Sequence, residues 1–143
     1  MRALILAAAL AVAGLAPASE PFLQHRSSLF APETMAHLQT AIQDAGYQLR
    51  FVQPVDHGLE NRGVDVGLYR VVLFDPPEVA RVLDAHPELA PLLPLRITVY
   101  EDDQGIVLSS LRPTLLTPSD DPAVEALLRR WEQDIREILQ EVG

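Results

Sequence analysis

The chain has 143 residues, no cysteine, and 11 basic against 20 acidic residues, for a formal charge of −9 at neutral pH. An acidic surface of this kind repels phosphate backbones and anionic headgroups, so nucleic acid and membrane surfaces are disfavoured partners and cationic ones are favoured. The lack of cysteine excludes disulfide stapling, thiolate metal sites, thiol catalysis and cysteine redox switching.

Met1-Arg2 precedes an apolar run from Ala3 to Leu15, which closes with Ala16-Pro17-Ala18. A basic start, an uncharged middle and small residues at the end make a secretory signal peptide cleaved after Ala18. The run falls short of the roughly 20 apolar residues of a membrane helix, and no cysteine follows it to carry a lipid. The expectation is a periplasmic or secreted protein that is free of the membrane after cleavage. Residues 19–143 retain ten arginines against the twenty acidic residues and are of a length for one domain with a single core.

Pro21 to Arg26 reads as a short first strand. Pro32 suits a first helical turn, Met35, Leu38, Ile42 and Ala45 recur at helical spacing, and Gly46 offers a left-handed stop, which predicts a helix over about 32–45. Tyr47, Leu49 and Phe51 alternate with Gln48, Arg50 and Val52, as in a strand with one buried face that Pro54 ends. Pro54 to Asp65, with two glycines and mostly polar residues, reads as a mobile surface loop.

Val66 to Phe74 is almost continuously apolar, as expected of a central strand covered at least partly on both faces. Asp75-Pro76-Pro77-Glu78 reads as a helix start with Asp75 as the capping acceptor and Glu78 completing a capping box. Val79, Val82, Leu83 and His86 share a side of the helix that follows, and it must stop before Pro87. Leu95, Ile97 and Val99 alternate with Arg96, Thr98 and Tyr100. After Asp102-Asp103-Gln104-Gly105 a second strand runs from Ile106 to Leu111, which predicts a hairpin with a type I turn and a glycine bulge. Asp120-Asp121-Pro122 begins a last helix. Its seam of Val124, Leu128, Trp131, Ile135, Ile138 and Val142 packs on the sheet, with a homodimer contact along the same seam as the alternative. Glu125 with Arg129 and Glu132 with Arg136 pair on the opposite side. The fold class is α+β, a single domain with a mostly antiparallel sheet in the order β-α-β-β-α-β-β-α.

The best chemical constellation is Asp56, His57, Glu60, Asn61, Arg62 and Asp65, since a histidine among carboxylates can act as a base or meet a divalent cation. No His-x-His or His-Glu-x-x-His spacing supports a metal centre, and no metal or cofactor is expected. Arg96 and Arg70 would clamp a carboxylate if they shared a cleft; otherwise their stems cover apolar sheet surface. Glu101, Asp102 and Asp103 read as a solvated hairpin tip. Ser109 and Ser110 lack a Gly-x-Ser-x-Gly elbow, and no glycine-rich phosphate loop follows a strand. His25, His37 and His86 are isolated.

The stretch from Leu93 to Gly105 (LPLRITVYEDDQG), with the upstream strand that runs into Asp75-Pro76, resembles the DUF302 family over about residues 22–118. On this reading 1–18 is the signal peptide, 19–118 the family domain and 119–143 a C-terminal amphipathic helix. The resemblance implies a compact α+β domain with a sheet-and-helix arrangement like that of the TATA-binding protein, dimers in some relatives, and no settled activity. Asp75 stands where many members have asparagine, Leu95 where one branch has cysteine, and Asp56-His57 matches an Asp-His pair in the family. Likeness of fold transfers no function. Two function classes follow: a non-catalytic module that binds a small molecule or a protein through its sheet face or the 54–65 segment, with Asp56, His57, Asn61, Arg62 and Arg96 as candidate contacts; or a small hydrolase or isomerase using His57 with Asp56 or Glu101. Weak divalent-metal binding is a third.

Overall fold

The computed structural model describes residues 20–143, so the signal-peptide segment lies outside the described residues. The elements are β1 (Phe22–Ser27), α1 (Ala31–Asp44), β2 (Gln48–Pro54), α2 (Val55–Glu60), β3 (Tyr69–Asp75), α3 (Val79–Ala85), a 3-10 turn (Pro87–Leu92), β4 (Leu95–Asp102), β5 (Gly105–Leu111), α4 (Pro113–Leu116) and α5 (Pro122–Glu141). The five strands form one antiparallel sheet in the order β1-β5-β4-β3-β2. This is the expected α+β class, with two short helices, α2 and α4, added to the expected order.

The β4–β5 hairpin forms as its residues specify. Asp102 pairs with Gly105, Asp103 and Gln104 keep negative φ, and Gly105 takes φ 120, the combination expected of a type I turn followed by a glycine. Asp102 Oδ1 accepts from the Gln104 N–H at 2.8 Å and fixes the turn. At the tip, both Asp102 oxygens also accept from Arg26 of β1, each at 2.7 Å, and this fork holds the Asp102 carboxyl down at about pKa 2. The last helix likewise starts as expected, with Asp121 Oδ1 accepting from the Ala123 N–H at 2.9 Å.

Side chains alternate across a strand, so the register assigns every residue a face. Leu95, Ile97 and Val99 of β4, Val72 and Phe74 of β3, and Leu108 of β5 point into the core, where they meet Leu38 and Ile42 of α1 and Leu128, Trp131, Ile135 and Ile138 of α5. The α5 seam is buried within one chain, with Val124, Leu128, Trp131, Ile135, Ile138 and Val142 each at most 2 % exposed. It leaves no apolar stripe for a dimer contact along that helix. The C-terminal end is tied to β1, where His25 Nε2 lies 2.6 Å from the Val142 carbonyl and the Ser28 N–H donates to the Gly143 carbonyl at 2.8 Å.

Four expectations need correction. The 54–65 segment is not a loop throughout, because α2 forms over Val55–Glu60 with Asp56 buried inside it. The strand expected from Val66 begins only at Tyr69, after Gly67 at φ 65 turns the chain. Asp75 does not cap α3: it is the buried last residue of β3 and pairs with Arg50 Nε at 3.0 Å. Pro76 and Pro77 have no N–H to offer its carboxylate, so the helix starts at Val79 without a side-chain cap, and Glu78 pairs with Arg130 of α5. Finally, the register of β2 shifts between Leu49 and Phe51. The extra residue reverses the alternation, so that Val52 packs against the core and Phe51 turns out on the opposite face, 58 % exposed.

Candidate functional site

Asp56 sits in the first turn of α2 and serves as a bracket. Its Oδ1 accepts from the His57 N–H at 2.8 Å, and its Oδ2 accepts from the Tyr69 N–H at 3.2 Å and from Arg70 Nε at 2.8 Å. Burial pushes this carboxyl up, but the two backbone donors and Arg70 outweigh burial and hold it below the usual range. The Arg70 Nη2 lies 3.1 Å from His57 Nε2. Because arginine can only donate, that ring nitrogen is the acceptor and its lone pair is occupied. Asp56 therefore touches the backbone of His57 and leaves its ring unoriented, which is not the geometry of a carboxylate-assisted base.

Of the other expected contacts, His57, Glu60, Asn61, Arg62 and Asp65 are exposed. Arg96 and Arg70 do not share a cleft. Arg70 pairs with Val99 and Leu73 with Arg96, so the two guanidiniums leave opposite faces of the sheet and the clamp cannot form. Arg96 instead borders a small apolar depression with Leu95, Leu111, Pro113 and Leu116, of about 250 Å³. Among the described residues, no three histidine, aspartate or glutamate side chains are placed to hold a metal ion.

A second buried carboxylate, Glu132 of α5, anchors α4. Its oxygens accept from Arg112 Nε at 2.8 Å and from the Thr114 N–H at 3.3 Å and hydroxyl. Burial raises this carboxyl, and the Thr114 and Arg112 bonds lower it further than burial lifts it. The expected partner, Arg136, stands farther off at 3.6 Å. Asp56 and Glu132 are thus occupied by structural bonds, as is the third buried carboxylate, Asp75, by Arg50.

What remains is the sheet face away from α1 and α5. Cross-strand rows read from the register run Arg26, Val107, Tyr100, Tyr69; then Gln24, Ser109, Thr98, Val71, Gln53; then Phe22, Leu111, Leu73, Phe51, with Arg96 between Leu111 and Leu73. Val71 and Leu73 are only half-buried and do not belong to the core cluster. Phe22 and Phe51 are 44 % and 58 % exposed. The sheet is covered on one side and open on the other. Over the first two rows lies a trough of about 550 Å³, floored by Tyr69, Thr98, Tyr100 and Ser109, flanked by Phe22 and Gln24, with Val66, Leu68 and Glu101 where β3 begins and β4 ends.

A model of the family described as "Domain of unknown function DUF302" matches residues 23–142. The chain belongs to the DUF302 family. The match runs through α5. A crystal structure of an uncharacterized conserved DUF302 protein from Bacillus stearothermophilus superposes with a TM-score of 0.79 at 21 % identity, covering 86 % of this chain and 98 % of that one. At that identity the likeness establishes the DUF302 fold alone. No curated protein matches the chain.

Sequence reasoning reached the sheet face as a surface but missed the trough, because Phe22, Tyr69, Thr98 and Ser109 come from four strands. Only cross-strand register brings them together. The alternation of Thr98 and Tyr100 against Ile97 and Val99 was the one local signal, since it placed two large or polar groups on the face away from the core.

Proposed function

We propose that the protein is exported and acts as a non-catalytic module that captures a small ligand on the open face of its sheet. The observation that supports this most strongly is the trough of about 550 Å³ beside exposed aromatic side chains. Ligand pockets typically run about 300–1,000 Å³ with apolar linings and a few polar groups, and contiguous exposed apolar surface marks a place where something binds. A binding module needs no assembled reaction centre, and the three buried carboxylates are already engaged, Asp56 at α2, Glu132 at α4 and Asp75 with Arg50. The basic, apolar and small-residue order of Met1 to Ala18 supports export.

A thermal-shift panel of cationic, neutral and anionic aromatic compounds, run on the protein and on Thr98→Arg, tests the binding site. Stabilisation by panel members that disappears in Thr98→Arg is the expected result. A panel that shifts neither protein, or shifts both equally, removes the open face as the ligand seat. Fractionation of cells that express residues 1–143 tests export, with Ser19 expected as the N-terminus of the released chain.

A further inference from the structure

We infer that His57 is a proton-sensitive latch on the trough: charging its ring loosens α2 and, with it, the 61–68 segment that walls the ligand seat. This rests on the binding reading above and adds a regulation to it. The wall is carried by the helix. The N–H groups of Arg62 and Val64 donate to the Leu59 carbonyl at 2.9 and 3.0 Å, and that of Gly63 donates to the Glu60 carbonyl at 2.8 Å. The chain leaving α2 is thus bonded back onto its last turn, and Val66 and Leu68, just beyond, line the trough. At the far end of this segment the Leu68 carbonyl accepts from the Glu101 N–H of β4 at 3.2 Å. At the helix, Asp56 accepts from the Tyr69 N–H and from Arg70 Nε, and Arg70 Nη2 meets His57 Nε2. Tyr69 is itself part of the trough floor.

The Arg70–His57 bond exists in one charge state alone. A guanidinium has no lone pair with which to accept, so Nε2 is bare and the ring is neutral, with its proton on Nδ1. A second proton goes to Nε2, where it faces Nη2 at 3.1 Å. The hydrogen bond is then lost and two positive charges are left in contact. Arg70 keeps its bond to Asp56, so α2 loosens without unfolding. The other charged groups around the ring are Asp56 and Glu60 on α2, Arg62 and Asp65 beyond it, and Glu101 of β4, whose carboxylate lies beside Gly67. The end of β2, from Phe51 to Pro54, brings none. Among the described residues, Arg70 is the charged group bonded to the ring, and Asp56 meets His57 through its backbone N–H. Histidine is the side chain whose charge ordinarily changes between about pH 5 and 8, so the latch works above the range in which carboxylates take up protons.

Amide hydrogen exchange, followed by NMR on the protein and on His57→Gln, tests the latch. A glutamine carbonyl accepts from Arg70 at every pH, so the variant keeps the bond and lacks the titration. At about pH 7.5, with the ring neutral, the Tyr69 and Glu101 amides should exchange equally in both proteins. At the pH where the His57 Hε1 resonance shows a charged ring, these two amides should exchange about two- to fivefold faster in the protein than in His57→Gln, as expected for the loss of one hydrogen bond. The Ile97 and Leu108 amides of the inner strands should stay equal. Equal exchange at Tyr69 and Glu101 in the two proteins at that pH overturns the latch, as does the same acceleration at Ile97 and Leu108, which marks a general loosening. The thermal-shift panel, repeated at both pH values, separates this inference from the reading it rests on. Stabilisation that weakens with the charged ring in the protein and persists in His57→Gln is the expected result, and stabilisation indifferent to the ring overturns the regulation. A panel that shifts neither protein at either pH removes the ligand seat itself, and the regulation with it.

Discussion

Arg70 stands between Asp56 and His57, with Nε 2.8 Å from the buried carboxylate and Nη2 3.1 Å from the imidazole. This ties α2 to the start of β3 and occupies the histidine nitrogen that a general base would use. The Asp-His pair that looked most like chemistry in the sequence is, in the fold, a splint. Asp56→Ala should therefore cost about 2–3 kcal/mol, since it strands the Tyr69 N–H and a partly buried guanidinium. His57→Ala, at an exposed ring, should cost less than about 1 kcal/mol. Urea unfolding of both variants checks the order, and a larger loss at His57 contradicts it.

Stability should fall in acid through the same brackets. Asp56 and Glu132 have folded-state pKa values below their ordinary ones, so they contribute stability above the usual carboxylate range, near pH 4, and lose it as pH falls through their lowered values. Melting temperature followed from pH 7 to pH 2 should drop below about pH 5. Glu132→Gln should melt lower at neutral pH and show a shallower acid limb, because the group that titrates is gone. An unchanged acid limb removes Glu132 as a source of the pH dependence.

Tyr47 gives the opposite limb. Burial first, and then the 2.5 Å bond to Asp134, raise its hydroxyl well above the ordinary tyrosine value. The raised group keeps its contribution below the unfolded tyrosine pKa of about 10 and loses it as pH rises beyond that. Tyr47→Phe should be less stable at pH 7 and lose less on going to pH 11, as read by urea midpoints at the two values.

The two phenylalanines of the β2–β3 pair separate the faces of the sheet. Phe74 is fully buried and meets the Tyr47 ring edge-on at 5.6 Å between centroids, so Phe74→Ala should cost about 3–5 kcal/mol. Phe51, turned outward by the bulge, should cost less than about 1 kcal/mol when cut to alanine. Equal losses would place Phe51 in a covered layer.

The parts of this fold legible in the sequence are those where several local signals agree. In the β4–β5 hairpin, alternation, acidic turn residues and Gly105 all specify one structure, and at the head of α5 Asp121 and Pro122 do the same. Elsewhere a plausible local signal loses to a competing one. Asp75 has the chemistry of a cap, but the prolines at 76 and 77 remove the donors it would use. Tyr47, Leu49 and Phe51 alternate cleanly, yet a bulge reverses their phase, and alternation reads the same with or without it. Glu132 reads as a surface partner for Arg136, although Arg112 and Thr114, twenty and eighteen residues away, claim it. The trough was the least legible feature, since Tyr69 and Tyr100 meet only through strand register.

Hydroxyl-radical footprinting of the free protein tests the one-sided sheet most directly. Phe22, Phe51, Tyr69 and Tyr100 should be oxidised, while Phe74, Trp131 and Tyr47 should be protected. Protection of Phe22, Phe51, Tyr69 and Tyr100 to the level of Trp131 would mean that another layer covers this face, and the account of an open binding surface would be wrong.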